Sequence, residues 1–452
     1  MRTFRAGMYA IIAVVGLIVF VLAGCSKDAS NSPANTNGSQ SGSDTKSKIK
    51  LKLVGQGYSN LTKIPGFEDR TANVGDYLRL IADEYTKLNP HVTFDVLSLN
   101  AADGTTQQLD VEIASGKLPN VLFDSEGRSA KYRGMGLTAA LDGYLSADER
   151  SDFIAGSLPE RDLWRIPVYT TPKVMAINKT LFEKAGLVNL LPDPSVRKWT
   201  TDEYVKALKA INSPPNVYST ILFAKTQSAA ESIMGYLWPF GAQMFNSPDF
   251  SKAALNSPEG VKGTQFILSL LDQGLAVPAP AALTDDDMWA LFEKQQLAIA
   301  PEVPVFESMG KEKGFEVYYV AYPAPADKKS SPMGVFTDNL IVFENKDPKV
   351  VEESAKFAKY VSEQWGPILA AARNSFPLRK SQMDKMNLSA EQQAVYKLMS
   401  QEGIMNIGQG LSQYADIREL YKNMNQALFT KHQTPEEALK WFEAEVNKIL
   451  TR

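Results

Sequence analysis

One cysteine, Cys25, and two histidines, His91 and His432, stand in 452 residues. No disulfide can close within the chain, and so few soft ligands cannot build a His- or Cys-rich zinc site. Serine–histidine catalysis would need one of the two histidines. His91 follows Asn89-Pro90 ahead of an expected strand, and His432 lies in Lys431-His432-Gln433 just before a helix cap, so both read as solvated surface. Positive charge is not in excess: 48 Lys+Arg against 51 Asp+Glu leave a formal net charge of -3, unlike the basic footprint of a nucleic-acid binder. No Walker motif occurs, and Gly134-Met135-Gly136 is not a dinucleotide fingerprint. Asp285-Asp286-Asp287 lacks the spacing and glycine of a calcium loop and reads as first-turn acids on a helix. No metal, cofactor or nucleic-acid partner is expected, and any ATP hydrolysis belongs to another protein.

The one long apolar run is itself short. Arg2 and Arg5 precede apolar residues from Gly7 to Ala23, and Leu22-Ala23-Gly24-Cys25 follows. A charged start, a brief apolar stretch and small residues before a cut make a secretory signal, here residues 1–24. A run of this length would barely cross a bilayer as a permanent helix. Residues 26–48 contain no large apolar side chain and cannot bury enough surface to fold, so 25–48 read as a tether. The remainder, 44% hydrophobic and 22% charged over the whole chain, has ordinary globular composition and the length of two domains.

Residues 49–54 (IKLKLV) alternate as a strand does, and Gly55 to Tyr58 end it. Asp76 is expected to cap a helix whose apolar face carries Tyr77, Leu78, Leu80, Ile81, Tyr85 and Leu88, stopped by Asn89-Pro90. Val92, Phe94 and Val96 form the next strand. A helix through Leu109 and Ile113 leads to Val121-Leu122-Phe123, a short buried strand ending at Asp124. Strand, helix, strand, helix, strand means parallel pairing with helical crossovers. Later, Thr200 with Glu203 and Thr434 with Glu437 form capping boxes, and Thr284 caps a third helix. Residues 219–223, 297–300 and 335–343 are expected strands, and 349–363 an expected helix. Trp164, Trp199 and Trp365 read as core.

Several stretches together resemble the family 1 extracellular solute-binding proteins of ABC importers, which include maltose-binding protein. They are Ile81-Ala82-Asp83-Glu84-Tyr85 with Asn89-Pro90, Gly116-Lys117-Leu118-Pro119-Asn120-Val121, and, most specifically, Ala176-Ile177-Asn178-Lys179 with Leu181-Phe182-Glu183-Lys184-Ala185-Gly186-Leu187. The likeness runs in order from Ile49 to Leu450. Cys25 falls where the bacterial lipobox places its lipidated cysteine, which implies a diacylglyceryl (palmitate-type) anchor on the extracytoplasmic face of the cell membrane. The implied fold is α/β, two-lobed and periplasmic-binding-protein-like (type II), with a ligand cleft between lobes joined by a multi-strand hinge. It implies an N-terminal lobe of 49–168 plus 327–376 and a C-terminal lobe of 174–321 plus 378–452. The hinge is expected near 169–173, 322–326 and 376–378, where Thr171-Pro172 and Tyr322-Pro323-Ala324-Pro325 are extended, proline-bearing segments.

Ligands bind beyond the carboxyl ends of strands in open α/β sheets. That rule selects Tyr58 after the first strand, Asp124 and Glu126 after the Val121 strand, Glu302 after the Leu297 strand, and Asp338. Sugars offer hydroxyls to carboxylates and flat C–H faces to rings. The aromatic candidates are Tyr58, Tyr169, Tyr236, Trp238, Trp289 and Phe306, and Tyr236 to Gly241 resembles a cleft-facing stretch of the family. The expected activity is capture of a mono- or oligosaccharide by lobe closure and delivery to a permease with a separate ATPase, by a monomer that is not an enzyme. A peptide, polyamine or glycerol phosphate ligand remains open, as does a secreted glycoside hydrolase using paired carboxylates such as Asp124 and Glu302. For a phosphate, Arg128 and Arg133 are the nearest arginine donors.

Overall fold

Val121-Leu122-Phe123 forms the short strand its unbroken apolar run predicts, and its surroundings explain the absence of polar interruption. Val121 and Phe123 enter one buried cluster with Leu51, Leu53 and Leu340, while Leu122 enters another with Val54, Trp164 and Ile341. Both faces of the sheet are covered, so alternation would leave a polar side chain in a dry layer. Each such aliphatic side chain stabilises by about 1.5–3 kcal/mol on burial.

The computed structural model describes residues 47–451 except 57–63, 65, 72–74, 100–104, 160–161, 247–249, 303–305, 329–332, 403 and 406. The signal, most of the tether, Cys25 and Tyr58 therefore lie outside the described residues. The strands are β1 Ile49–Gln56, β2 Val92–Leu99, β3 Val121–Ser125, β4 Arg165–Pro172, β5 Val174–Asn178, β6 Tyr218–Thr220, β7 Leu297–Glu302, β8 Val317–Val320, β9 Met333–Val342, β10 Phe376–Pro377 and β11 Ile404–Met405. One sheet runs β10-β4-β9-β3-β1-β2, with β11 paired to β9, and a second runs β6-β7-β5-β8. β1 is parallel to both β2 and β3, as helical crossovers require, whereas β9 is antiparallel to β3 and β4. The chain leaves the first sheet after Pro172, joins the second at Val174, and returns between Val320 and Met333. After β10, the Ala390–Glu402 helix packs beside β8. Arg197 ties that helix down with a two-pronged pair to Glu391, at 2.5 and 2.8 Å. Among the described residues no helix is long and apolar enough to cross a membrane, and no group of three or more His, Cys, Asp or Glu could hold a metal ion.

Capping boxes form at Thr200–Glu203, Thr284–Asp287 and Thr434–Glu437. Trp164, Trp199 and Trp365 are buried. Four local expectations are corrected. Asp76 is the first helical residue and Gly75 takes the cap position. The strand expected over 219–223 is only Tyr218–Thr220, because the Ala224 and Lys225 amides turn to the carbonyls of Pro280 and Leu283. The helix expected over 349–363 ends at Tyr360 and widens into a π turn at Val361–Trp365. Pro367 has no N–H for the Glu363 carbonyl, and the Gln382 amide donates to Ser362 and Glu363 carbonyls at 2.8 and 2.9 Å instead. His91 is not solvated: its side chain is 13% exposed and lies 3.7 Å from Glu353.

Glu149 caps its helix through Ser146 and also pairs with Lys359 on the Pro348–Tyr360 helix. The Lys359 contact is the main reason its carboxyl is lowered to about 2. A carboxylate of ordinary value near 4.3 in the unfolded chain takes up its proton first there, so this pair stabilises the fold above about pH 4.3 and loses that contribution as pH falls toward 2. Neighbouring Glu363 is raised, chiefly by burial, and works in the opposite sense. Glu149→Gln is expected to flatten the acid limb of denaturant midpoint against pH between those limits. An acid limb as steep as that of the parent would show that the pair contributes nothing.

Candidate functional site

A cavity of about 590 Å³ opens at the carboxyl end of β3. One wall belongs to the first sheet and its helices: Asp124 and Ser125, then Gly127, Arg128, Lys131 and Tyr132 on the Glu126–Gly134 helix, with Thr171 of β4 and Asp338 of β9. The facing wall comes from Gln227, which precedes the Ala229–Leu237 helix, and from Ser412, Tyr414 and Arg418 at the start of the Tyr414–Phe429 helix.

Strand direction and helix pitch assemble the first wall. Ser125 is extended and ends β3, and the helix begins at Glu126. Asp124, 4% exposed, uses Oδ1 to accept from the Ser125 amide at 2.6 Å and from Arg128 Nε at 2.8 Å. Arg128 Nη2 reaches the same oxygen. These three bonds all fall on Oδ1, and Asp124 lines the cavity. Further along the helix, Lys131 and Tyr132 both hold Asp110, at 2.7 and 2.6 Å. Burial, then the Asp110 hydrogen bond, push the Tyr132 phenol well above its ordinary range and keep it a donor. Asp338 stands opposite Ser125 and Tyr169, where the β4–β9 register slips between Pro167 and Tyr169. That bulge turns the strands at the cavity floor. Burial above all raises the neighbouring Tyr77 hydroxyl well above its ordinary range, and the Asp338 charge adds to it.

Two glycines let the walls approach. A Cβ on Gly127 would stand 3.0 Å from the Tyr414 ring, and one on Gly134 only 2.4 Å from Ser412 Cβ. The two positions are about two helical turns apart and share a face.

Asp124, named from the end of its strand, and Asp338, which lies within β9, both line this cavity. Glu126 is adjacent but engaged: it pairs with Arg165 Nη2 at 2.9 Å and accepts from the Thr337 hydroxyl at 3.0 Å. Glu302 ends β7, and its side chain lies outside the described residues. The aromatic expectations meet the interior instead. Tyr169 is 1% exposed and packs edge-on to Phe123. Tyr236 is fully buried, bonded to Tyr204 at 3.0 Å and set edge-on to Tyr322. Phe306 is fully buried between Phe292 and Trp289. Trp238 and Trp289 are partly buried against the core, and none of these five rings lines this cavity. Of the two phosphate-donor candidates, Arg128 lines it, whereas Arg133 lies near exposed Asp162 at 3.5 Å. Arg373, Arg418, Tyr132, Tyr414 and Gln227 were not expected. Only their three-dimensional neighbours distinguish them from other polar and aromatic residues in and beside helices, so no local sequence signal marks them.

The family model described as bacterial extracellular solute-binding protein matches residues 70–363. Proteins named as binding proteins in Brucella abortus and Brucella suis are 24% identical over 394 residues, 84% of this chain and 92% of theirs. Among solved structures, the cyclic alpha-maltosyl-1,6-maltose binding protein of Arthrobacter globiformis matches with a TM-score of 0.73 at 19% identity, over 89% of this chain and 99% of that one. The sugar-binding protein MalE of Xanthomonas citri matches at 0.72 and 15%, over 89% and 97%. A solute-binding protein of Agrobacterium radiobacter in complex with ribitol matches at 0.65 and 20%, over 89% and 99%. At such identities the likeness concerns the fold, which is the two-lobed α/β architecture expected.

Proposed function

The chain belongs to the bacterial extracellular solute-binding protein family, and on that premise we propose that it captures a neutral polyhydroxyl solute, a sugar or polyol, between two lobes and delivers it to an ABC permease without altering it. The lobes are residues 49–168 with 327–376 and 174–321 with 378–452, hinged near 169–173, 322–326 and 376–378. Cys25 carries the lipid that keeps the receptor at the extracytoplasmic face of the membrane.

Charge balance in the cavity is the observation that carries the reading. Arg128, Lys131, Arg373 and Arg418 line it. Asp124 and Asp338 line it with them, while Asp110 and Glu231 stand directly behind Lys131 and Arg418. Donors and acceptors alternate with no net charge, which suits hydroxyls that both donate and accept. A space of about 590 Å³ has the size of a small-ligand pocket. Relatives whose names record maltose-type sugars and ribitol support the same class. Ligand bridging both walls would gain contacts only in the closed state and shift the population toward it.

The side chain of Arg128, 49% exposed, favours a second reading, an anionic solute such as glycerol phosphate. Thermal unfolding with maltose, ribitol, tagatose and glycerol 3-phosphate separates the two. A ligand at one hundred times its Kd stabilises by about 2.7 kcal/mol, enough to raise the midpoint visibly. A rise with a sugar or polyol is expected. A rise with glycerol 3-phosphate alone would transfer the assignment to the second reading, and none with any of the four would remove the support for both.

A further inference from the structure

The Ala229–Leu237 helix is buried along its whole length, and its single charged residue, Glu231, is 2% exposed. A carboxylate taken from water costs several kcal/mol unless partners replace its hydration. Among the described residues the Tyr414 hydroxyl donates to Oε1 at 2.8 Å, and Arg418 Nη2 donates to Oε2 at 3.1 Å, with Nε 3.0 Å from Oε1. Tyr414 and Arg418 are four residues apart on one helix and point the same way. Both line the cavity, whereas Glu231 does not.

We propose, building on the sugar-binding reading of this cavity, that Glu231 is a positioning residue that sets the hydrogen-bond polarity of the second wall. With the Tyr414 proton committed to Glu231, the phenol oxygen turns only acceptor lone pairs to the cavity. Burial, then the Glu231 charge, keep that phenol protonated far above its ordinary value. Arg418, anchored by the same carboxylate, offers only donors. Gly127 lies against the Tyr414 ring, where an added Cβ would stand 3.0 Å from it. The wall therefore selects a ligand carrying one hydroxyl that donates to Tyr414 beside an oxygen that accepts from Arg418. Neighbouring hydroxyls of a sugar or polyol meet that requirement.

Two measurements on the full chain test this. In calorimetric titrations with maltose, ribitol and tagatose, Glu231→Gln and Tyr414→Phe are each expected to weaken the binding seen in the parent at least about tenfold. The double variant should be no weaker than the poorer single one, because both break one unit. A merely structural role would lower the unliganded melting point and leave the affinity of the folded fraction unchanged, and that result overturns the proposal. The second measurement needs no ligand: the tyrosine ring-carbon NMR signal lost in Tyr414→Phe is followed in Glu231→Gln. A shifted or broadened signal is expected, and an unmoved one overturns the proposal even if no sugar binds, in which case the sugar reading has failed separately. Should Glu231→Gln not fold, Tyr414→Phe, which keeps the Glu231–Arg418 pair, decides through the titration, with unchanged affinity counting against the proposal.

Discussion

Asp124→Asn is expected to weaken ligand binding about 10- to 100-fold, read by calorimetric titration with whichever sugar or polyol stabilises the parent protein. The asparagine oxygen can still accept from the Ser125 amide and from Arg128, so the turn into the Glu126–Gly134 helix keeps its geometry. What changes is the group facing the cavity, where an ionised acceptor becomes a neutral amide donor. Hydrogen bonds to charged groups contribute about 1.5–3 kcal/mol, which corresponds to that range of affinity. The same change leaves the Arg128 guanidinium without its counter-charge, so an anionic solute would bind no worse than to the parent. Affinity for the sugar within about twofold of the parent would place the ligand somewhere other than Asp124.

Arg165→Met is expected to destabilise the fold by about 3–5 kcal/mol, measured from chemical denaturation midpoints at neutral pH. The Arg165 side chain is 3% exposed. It donates to the Ser157 carbonyl at 2.9 Å, to Asn339 Oδ1 at 2.8 Å, and to Glu126 Oε1 at 2.9 Å. One guanidinium thus joins β4, β9 and the first residue of the helix that carries Arg128. Methionine fills part of the volume but leaves the Glu126 carboxylate and the fully buried Asn339 amide short of partners. Adding Glu126→Gln to Arg165→Met is expected to recover part of the loss, since the orphaned charge is then gone. A single-variant loss below about 1 kcal/mol, or a double variant no better than the single, would refute this account.

Asp124 is legible in the amino-acid sequence as a cavity-lining residue because it lies at the end of a short apolar strand, and such strands announce themselves by apolar runs bounded by polar residues. Tyr169 and Tyr236 show where that reasoning stops. An aromatic residue beside a cleft and one within a core have the same composition and spacing, and burial alone separates them. Glu126 satisfies the same strand-end rule as Asp124, yet its two oxygens are engaged by Arg165 and Thr337, partners far away along the chain. His91 reads as solvated because its sequence neighbours are polar or turn-forming, and Glu353 reaches it only through the fold.

The sequence by itself determined the α/β class, the parallel start of the first sheet, the capping boxes and the family resemblance, because these rest on periodicity and on side chains bonding within a few residues. The tertiary structure alone decided that Arg418, Tyr414 and Gln227 come to face Asp124, and that Glu231 stands buried behind two of them. Those residues meet because the chain passes between its two sheets and then folds back, and contacts made by such passages leave no periodic mark on the segments that make them.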